Sequence, residues 1–243
     1  MPEIAYTRWN KLPLKSANIR ENVFKELRAL AEHPPIPEAS WDLIWVFSGP
    51  ETILGKPEDT FGNQDLERIE EGLRLQRLVT ALRLDVPKRL EDVTKEDIIE
   101  YGPIVFYNGT ERHNQELELW LVQQAASGTF PNPRNKIVIS DITGVRNTAD
   151  QFEKFPKEIL PASGRKLVLL SDYYHLPRIW RLYKLWSERQ QWNLRKGQIV
   201  PYPTRQKDDT AYFMQQKLRK KRIKGEVRAI EDRVGKGWLP DEG

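Results

Sequence analysis

The stretch Lys166–Arg178, KLVLLSDYYHLPR, carries the signal on which the fold prediction depends. Its first five residues form a short, continuous apolar run, which is typical of a strand buried in a parallel sheet. The polar residues after it lead to Pro177, which suits the first turn of a helix because proline lacks an N–H that would have no partner there. We therefore predict a strand, a polar loop and then a helix that extends to about Gln190.

Similar apolar runs recur along the chain, with helical patterns between them. The predicted strands are residues 41–47, 103–107, 136–140 and 166–170, and a last short strand begins at Ile199. The predicted helices between and after them lie near 63–84, 113–124, 147–156 and 177–190. This alternation predicts an α/β fold with a mostly parallel sheet and helices on both faces.

The two ends of the chain differ from this central part. Residues 1–40 form a predicted N-terminal helical arm, with apolar residues at helical spacing over about 21–33. Residues 205–236 carry eleven Lys and Arg against five Asp and Glu, whereas the whole chain has a net charge of +4. We therefore predict an α/β domain over 41–203 and a basic C-terminal helical extension over 204–243, either one helix or two helices separated at Gly225.

The composition excludes several kinds of site. The chain has no cysteine, which excludes disulfides, thiolate catalysis and cysteine-bound zinc. Its three histidines argue against a multi-histidine metal centre, and no metal site is predicted. No apolar run approaches the roughly 20 residues that span a bilayer, and the first residues lack a signal-peptide core. We expect a soluble, cytoplasmic protein.

Small and polar residues follow each predicted strand. In an open parallel sheet, ligands bind outside the carboxyl ends of the strands, so these residues predict a pocket for a small anionic molecule. They are Ser48, Gly49 and Glu51 after the first strand, Asn108 and Gly109 after the second, Asn147, Thr148 and Asp150 after the third, and Asp172, Tyr174, His175 and Arg178 after the fourth, with Glu116 in the helix after the second strand.

The fourth loop indicates an anion site. His175 is predicted just outside the helix N-terminus and Arg178 inside its first turn, where free N–H groups and partial positive charge favour phosphate or carboxylate. Arg178 adds a forked donor and His175 a titratable one. The alternative is that His175 caps a loop and Arg178 pairs with a neighbouring carboxylate.

The carboxylates of the predicted pocket include candidates for general acid and base catalysis. With His175, the catalytic candidates are Glu51 and Asp150. Asn147 followed by Asp150 also resembles a capping box, so helix capping alone explains both residues. Glu116 stands near Glu118 in a predicted helix, where a solvated face is the alternative.

Four segments in this order resemble the YdcF/SanA/ElyC-like family over roughly residues 40–195. They are IWVFSGPE (44–51), IVFYNGTERHNQELELW (104–120), IVISDITGVRNTADQF (137–152) and KLVLLSDYYHLPRIWR (166–181). His175 and Arg178 match the family's His and Arg. Asn147, Thr148 and Asp150 match its Asn-Thr-x-Glu, with Gln151 where Asn is usual. The chain departs from the family at Ser48-Gly49 and Asn108-Gly109, where paired glycines are usual, and at Asp172, where Ser is common.

The resemblance implies a Rossmann-like sheet, and members have been linked to S-adenosylmethionine binding and to bacterial envelope or lipid-carrier metabolism. We expect a small-molecule-binding protein, or an enzyme, that takes a phosphorylated or nucleotide-like anionic ligand at the strand ends. One alternative is an S-adenosylmethionine-binding protein. Another is a non-enzymatic interaction module that uses the basic C-terminal arm, and the two arms also offer a route to a homo-oligomer. Nucleic-acid binding is disfavoured because the central part carries no nucleic-acid motif.

Overall fold

The computed structural model describes residues 19–32, 35–49, 64–85, 88–127, 130–194, 197–204 and 210–239, and for residues 20, 31, 32, 64 and 210–222 it describes the helical backbone alone. The chain forms two compact units. The first, called the sheet unit, comprises the described parts of Pro37–Leu170 and Gln198–Val200. The second, called the helical unit, comprises the described parts of Met1–Ile36, Ser171–Gly197 and Pro201–Gly243.

Five strands form one parallel sheet. They are β1 (Trp41–Val46), β2 (Ile104–Tyr107), β3 (Ile137–Ile139), β4 (Lys166–Ser171) and β5 (Ile199–Pro203). Their spatial order is β3-β2-β1-β4-β5, with Trp45 of β1 opposite Phe106 of β2 and Leu169 of β4. The chain first extends the sheet to one side of β1 and then returns to add β4 on the other side, so the order reverses between β1 and β4. The predicted α/β fold with a mostly parallel sheet is confirmed.

The described part of the chain contains seven α-helices. They are α1 (Ile19–Glu32), α2 (Gln64–Arg83), α3 (Lys95–Tyr101), α4 (Glu111–Ala126), α5 (Thr148–Glu153), α6 (Leu176–Arg189) and α7 (Thr210–Gly235). Helix α3 was not predicted from the sequence, and α7 is a single helix that continues through Gly225. Of the helices described, none has the length and apolar character needed to cross a membrane.

Helices cover both faces of the sheet within the sheet unit. On one face, α2 approaches β1 so closely that a Cβ added to Gly72 would lie 2.8 Å from Cγ2 of Val46. Because successive residues of a strand point to opposite faces, Trp45 lies on the other face. There its ring packs 4.8 Å from that of Phe152 in α5 and 4.3 Å from that of Phe155. The prediction of helices on both faces is therefore confirmed.

Strand β5 lies at the edge of the sheet and contains Pro201 and Pro203. Proline cannot donate a backbone hydrogen bond to a neighbouring strand, and it is accordingly confined to sheet edges. This explains how a sequence with two prolines among five residues forms a strand here.

The helical unit has its own apolar core. Val23 and Leu27 of α1 pack with Tyr174 and with Val227 and Ile230 of α7, and all five are buried. This cluster packs the C-terminal half of α7 against the middle of α1.

Candidate functional site

A buried hydrogen-bond network lies at the carboxyl ends of β1 and β2 in the sheet unit. Trp45 Nε1 donates to Asn108 Oδ1 at 2.8 Å, and Asn108 Nδ2 donates to the backbone carbonyl of Gln151 at 2.8 Å. Gln151 Nε2 donates to the Asn108 carbonyl at 2.9 Å and to Ser48 Oγ at 2.7 Å. Asn108 is completely buried. The structure thus brings Ser48 and Asn108 together through Gln151, and Asn108 connects β1, β2 and α5.

The residues predicted after the third strand organise the start of α5. Asn147 is the N-cap, and its Oδ1 accepts from the backbone N–H groups of Ala149 at 2.8 Å and Asp150 at 3.2 Å. The Asp150 carboxylate accepts from the backbone N–H of Arg146 at 2.9 Å and from its Nε at 3.3 Å. Thr148 is buried at the first position of the helix. The contacts of Asn147 correspond to the capping alternative raised by the sequence, whereas Asp150 binds Arg146, the residue before the cap.

The loop after β1 is anchored by a buried ion pair. The N–H of Gly49 donates to Asp65 Oδ1 at 2.7 Å, and Asp65 pairs with Arg68 at 3.0 Å, both charged side chains being almost fully buried. Arg68 also donates to the carbonyl of Phe47 at 3.2 Å, and the Tyr107 hydroxyl donates to Asp65 Oδ2 at 3.2 Å. Burial, and then the Asp65 carboxylate, raise the pKa of Tyr107 well above its usual range, so this hydroxyl stays protonated and remains a donor.

Three further residues were predicted for the site, namely Gly109, Glu116 and Glu51. Gly109 has no space for a side chain, because an added Cβ would lie 2.7 Å from the ring of Tyr107 and 2.8 Å from Cβ of His113. Glu116 accepts from Arg112 Nε at 2.8 Å, one helical turn earlier in α4. Glu51 lies outside the described residues.

In the helical unit, Asp172 holds the loop that follows β4. Its Oδ1 accepts from the Thr204 hydroxyl at 2.8 Å, and its Oδ2 accepts from the Tyr174 hydroxyl at 2.9 Å. The ring of Tyr174 belongs to the core that α1 and α7 share. Asp172 and Tyr174, both predicted to bind ligand, are therefore hydrogen-bonded to each other and fix the loop.

His175 lies between Ser171 and Arg178. Its Nδ1 is 3.1 Å from Ser171 Oγ, and its Nε2 is 2.6 Å from Arg178 Nη2. A guanidinium group has donors only, so His175 Nε2 accepts the hydrogen bond and Nδ1 carries the proton toward Ser171. The imidazole is consequently neutral in this arrangement, and it is 4% exposed.

Arg178 also holds a carboxylate. Its Nη2 donates to Glu226 Oε1 at 3.0 Å, and its Nε lies 3.0 Å from Glu226 Oε2. Both side chains are mostly buried, at 16% and 17% exposure. This is the carboxylate pairing that the sequence left as an alternative. The Nε and Nη2 edge of the guanidinium, which faces this carboxylate, is also the edge with which arginine binds phosphate.

Several residues of these networks were not singled out as site residues from the sequence. Gln151 stands beside the Asn147-Thr148-x-Asp150 motif, at the position where the resembled family has Asn, so the resemblance provided a signal for it. Glu226 follows Arg178 by 48 residues on another helix, and no local pattern links them. The described residues contain no group of three or more His, Asp or Glu that could hold a metal ion.

Comparison with protein-family models, with curated proteins and with solved structures gave no match for this chain. The basis for a function is therefore the geometry of these polar clusters, together with the motifs read from the sequence.

Proposed function

We propose that the protein binds a small anionic ligand, phosphorylated or nucleotide-like, through Arg178 and His175 in the segment that follows β4. The proposal depends on one observation: the Arg178 guanidinium has two atoms in contact with the Glu226 carboxylate, and it also contacts His175. An edge of the guanidinium that holds two carboxylate oxygens fits two phosphate oxygens in the same way.

The sheet topology supports the position of this site. In open parallel sheets, ligands bind outside the carboxyl ends of the strands, next to the point where the strand order reverses. Here the order reverses between β1 and β4. Arg178 and His175 follow β4 directly, in the loop and in the first turn of α6.

The two side chains have separate roles in the proposed site. Arg178 remains charged at any physiological pH, so it offsets the charge of the ligand without a proton change. His175 is held by Ser171 through Nδ1, and its Nε2 accepts from Arg178, so a ligand that replaces Arg178 there has to present a protonated oxygen to Nε2 or supply it with a proton. If a reaction follows binding, Nε2 of His175 is the candidate general base or acid.

We also propose that the chain belongs to the YdcF/SanA/ElyC-like family. The support is the order of its motifs, with Asn147-Thr148 after the third strand and His175 and Arg178 after the fourth. The family's link to S-adenosylmethionine makes that compound a necessary probe beside phosphates and nucleotides.

The test is a thermal-shift titration of three proteins: wild type, Arg178→Gln and Arg189→Gln. Arg189 is an exposed arginine near the end of the same helix and serves as the matched control. The panel holds inorganic phosphate, nucleotides, sugar phosphates, polyprenyl-phosphate analogues and S-adenosylmethionine. A ligand held only by the native state stabilises it by about 2.7 kcal/mol at one hundred times its Kd. For a chain of this length that corresponds to a rise in Tm of about 5–10 °C.

We expect a phosphorylated compound to raise the Tm of wild type and Arg189→Gln but not of Arg178→Gln. A shift that survives in Arg178→Gln would place the ligand elsewhere, and for S-adenosylmethionine it would favour the cofactor-binding alternative. The absence of any shift in wild type would refute the anion proposal and favour the interaction module instead.

A further inference from the structure

We infer that Glu226 is an internal competitor for the proposed anion site, so that helix α7 keeps the site occupied until a ligand displaces its carboxylate. This inference rests on the proposed function and adds a means of regulating it. Its basis is the arrangement of Arg178, His175 and Glu226, all within the helical unit.

Glu226 and a ligand would need the same donors. Oε1 of Glu226 accepts a hydrogen bond from Nη2 of Arg178, and Oε2 lies 3.0 Å from Nε. Nη2 and Nε form the edge of the guanidinium that a phosphate would use. The same Nη2 is also in contact with Nε2 of His175. A ligand that contacts both Arg178 Nε and His175 Nε2 must therefore occupy the space that Glu226 and the Arg178–His175 contact now fill.

The position of Glu226 depends on how α7 is docked. The next residue, Val227, and Ile230 one turn later are buried against Val23 and Leu27 of α1. Docking of α7 thus places the Glu226 carboxylate at Arg178, and release of this part of α7 removes it. Because the two events are linked, a ligand that displaces Glu226 must weaken α7 docking by the same free energy by which docking weakens ligand binding.

The competitor also selects between classes of anion. A carboxylate ligand offers two oxygens and one negative charge, as Glu226 does, but Glu226 is attached to the chain and so is present at a high effective concentration. A phosphate monoester carries close to two negative charges at neutral pH and three acceptor oxygens. We therefore expect phosphate to displace Glu226 and acetate to fail.

The test is isothermal titration calorimetry with inorganic phosphate and with acetate on wild type, Glu226→Gln and Asp232→Asn. Glutamine keeps the shape of the side chain and removes its charge. Asp232 is the control, since it lies on the same helix in an exposed pair with Lys236 and loses the same charge. We expect Glu226→Gln to bind phosphate about tenfold more tightly than wild type, and to bind acetate detectably, whereas Asp232→Asn matches wild type.

A second measurement uses the wild-type protein alone and is independent of how well the variant folds. Hydrogen exchange of the α7 amides is followed with and without saturating phosphate. We expect faster exchange over residues 223–234 with phosphate bound, while the amides of β1, which belong to the sheet unit, exchange at unchanged rates.

The outcomes separate the two proposals. If wild type and Glu226→Gln bind phosphate equally and α7 exchange is unchanged by phosphate, the competitor role is refuted and the anion site stands. If neither protein binds phosphate or any other phosphorylated probe, the anion site itself is refuted and the competitor role with it. Tighter binding in Asp232→Asn as well would show a general charge effect of α7 and would also refute a specific role for Glu226.

Discussion

The pair of Glu26 on α1 and Arg181 on α6 offers a direct test of how burial sets the value of an ion pair. Arg181 Nη1 donates to Glu26 Oε2 at 2.8 Å and to the Pro177 carbonyl at 2.9 Å, while Nη2 donates to Glu26 Oε1 at 3.0 Å. The Arg181 side chain is 0% exposed and the Glu26 side chain is 7% exposed. The perturbation is Glu26→Gln, which keeps the shape of the side chain and removes its charge.

The expected loss of stability follows from the Arg181 charge, which Glu26→Gln leaves buried without a counter-charge. A guanidinium that is buried without a counter-charge costs about 3–5 kcal/mol, and we expect about 3 kcal/mol here because the glutamine amide still accepts one hydrogen bond. The same helix supplies a matched control. Glu21 pairs with Lys25 at 2.7 Å, but these side chains are 55% and 53% exposed. We expect Glu21→Gln to cost about 0.5 kcal/mol or less.

The assay is urea unfolding of wild type, Glu26→Gln and Glu21→Gln, followed by circular dichroism at neutral pH. A fourth protein, Glu26→Leu/Arg181→Met, removes both charges together and is expected to recover most of the lost stability, since no charge is then left without a partner. If Glu26→Gln and Glu21→Gln lower the free energy of unfolding equally, burial does not determine the strength of these pairs and the reasoning is refuted.

Three further predictions concern backbone space and titration. Gly49→Ala places a Cβ 2.5 Å from Arg68 Nη1 and 2.9 Å from Asp65 Oδ1. We expect it to lower the free energy of unfolding in urea by about 1–3 kcal/mol, and an unchanged urea midpoint would contradict the close contact. Gly225 lies in the interior of α7, and a Cβ added there meets nothing within 4 Å. Because alanine favours a helix more than glycine does, Gly225→Ala should raise the free energy of unfolding by about 0.5–1 kcal/mol, and a decrease would contradict the helix there. Burial raises the pKa of Tyr183 from 10.0 to about 12, so from pH 10 to 12 the folded state keeps a proton that the unfolded state loses. The free energy of unfolding should therefore fall by about 1.4 kcal/mol per pH unit more steeply in wild type than in Tyr183→Phe, and equal slopes would refute this.

Much of the fold could be predicted because its signals are local. The apolar runs of β1 to β4 end in small or polar residues, and the helical patterns between them are long. Helix α3 escaped prediction because it is short and only Ile98 is buried in it. Its signal was the capping box, in which Thr94 Oγ1 accepts from Asp97 N and Asp97 Oδ2 accepts from Thr94 N.

The site was less predictable, because the role of a polar side chain depends on partners that are distant in sequence. The capping function of Asn147 is local and was foreseen as an alternative. For Asp172, the deciding donor is Thr204, which follows it by 32 residues. For Arg178, the carboxylate comes from α7, in a segment whose sequence shows mainly its basic charge. Such pairings follow from the packing of the helical unit and not from spacing along the chain.

The measurement that tests the central claim most directly is the NMR signal of the arginine side-chain Nε–H groups during a titration with inorganic phosphate. Arg178 and Arg181 lie on the same helix, and the latter is fully buried in its pair with Glu26, so it serves as the internal reference. The proposed site predicts that the Arg178 Nε–H signal, assigned with Arg178→Gln, shifts and saturates while that of Arg181 stays in place. An Arg178 signal that does not move at saturating phosphate would contradict the anion site.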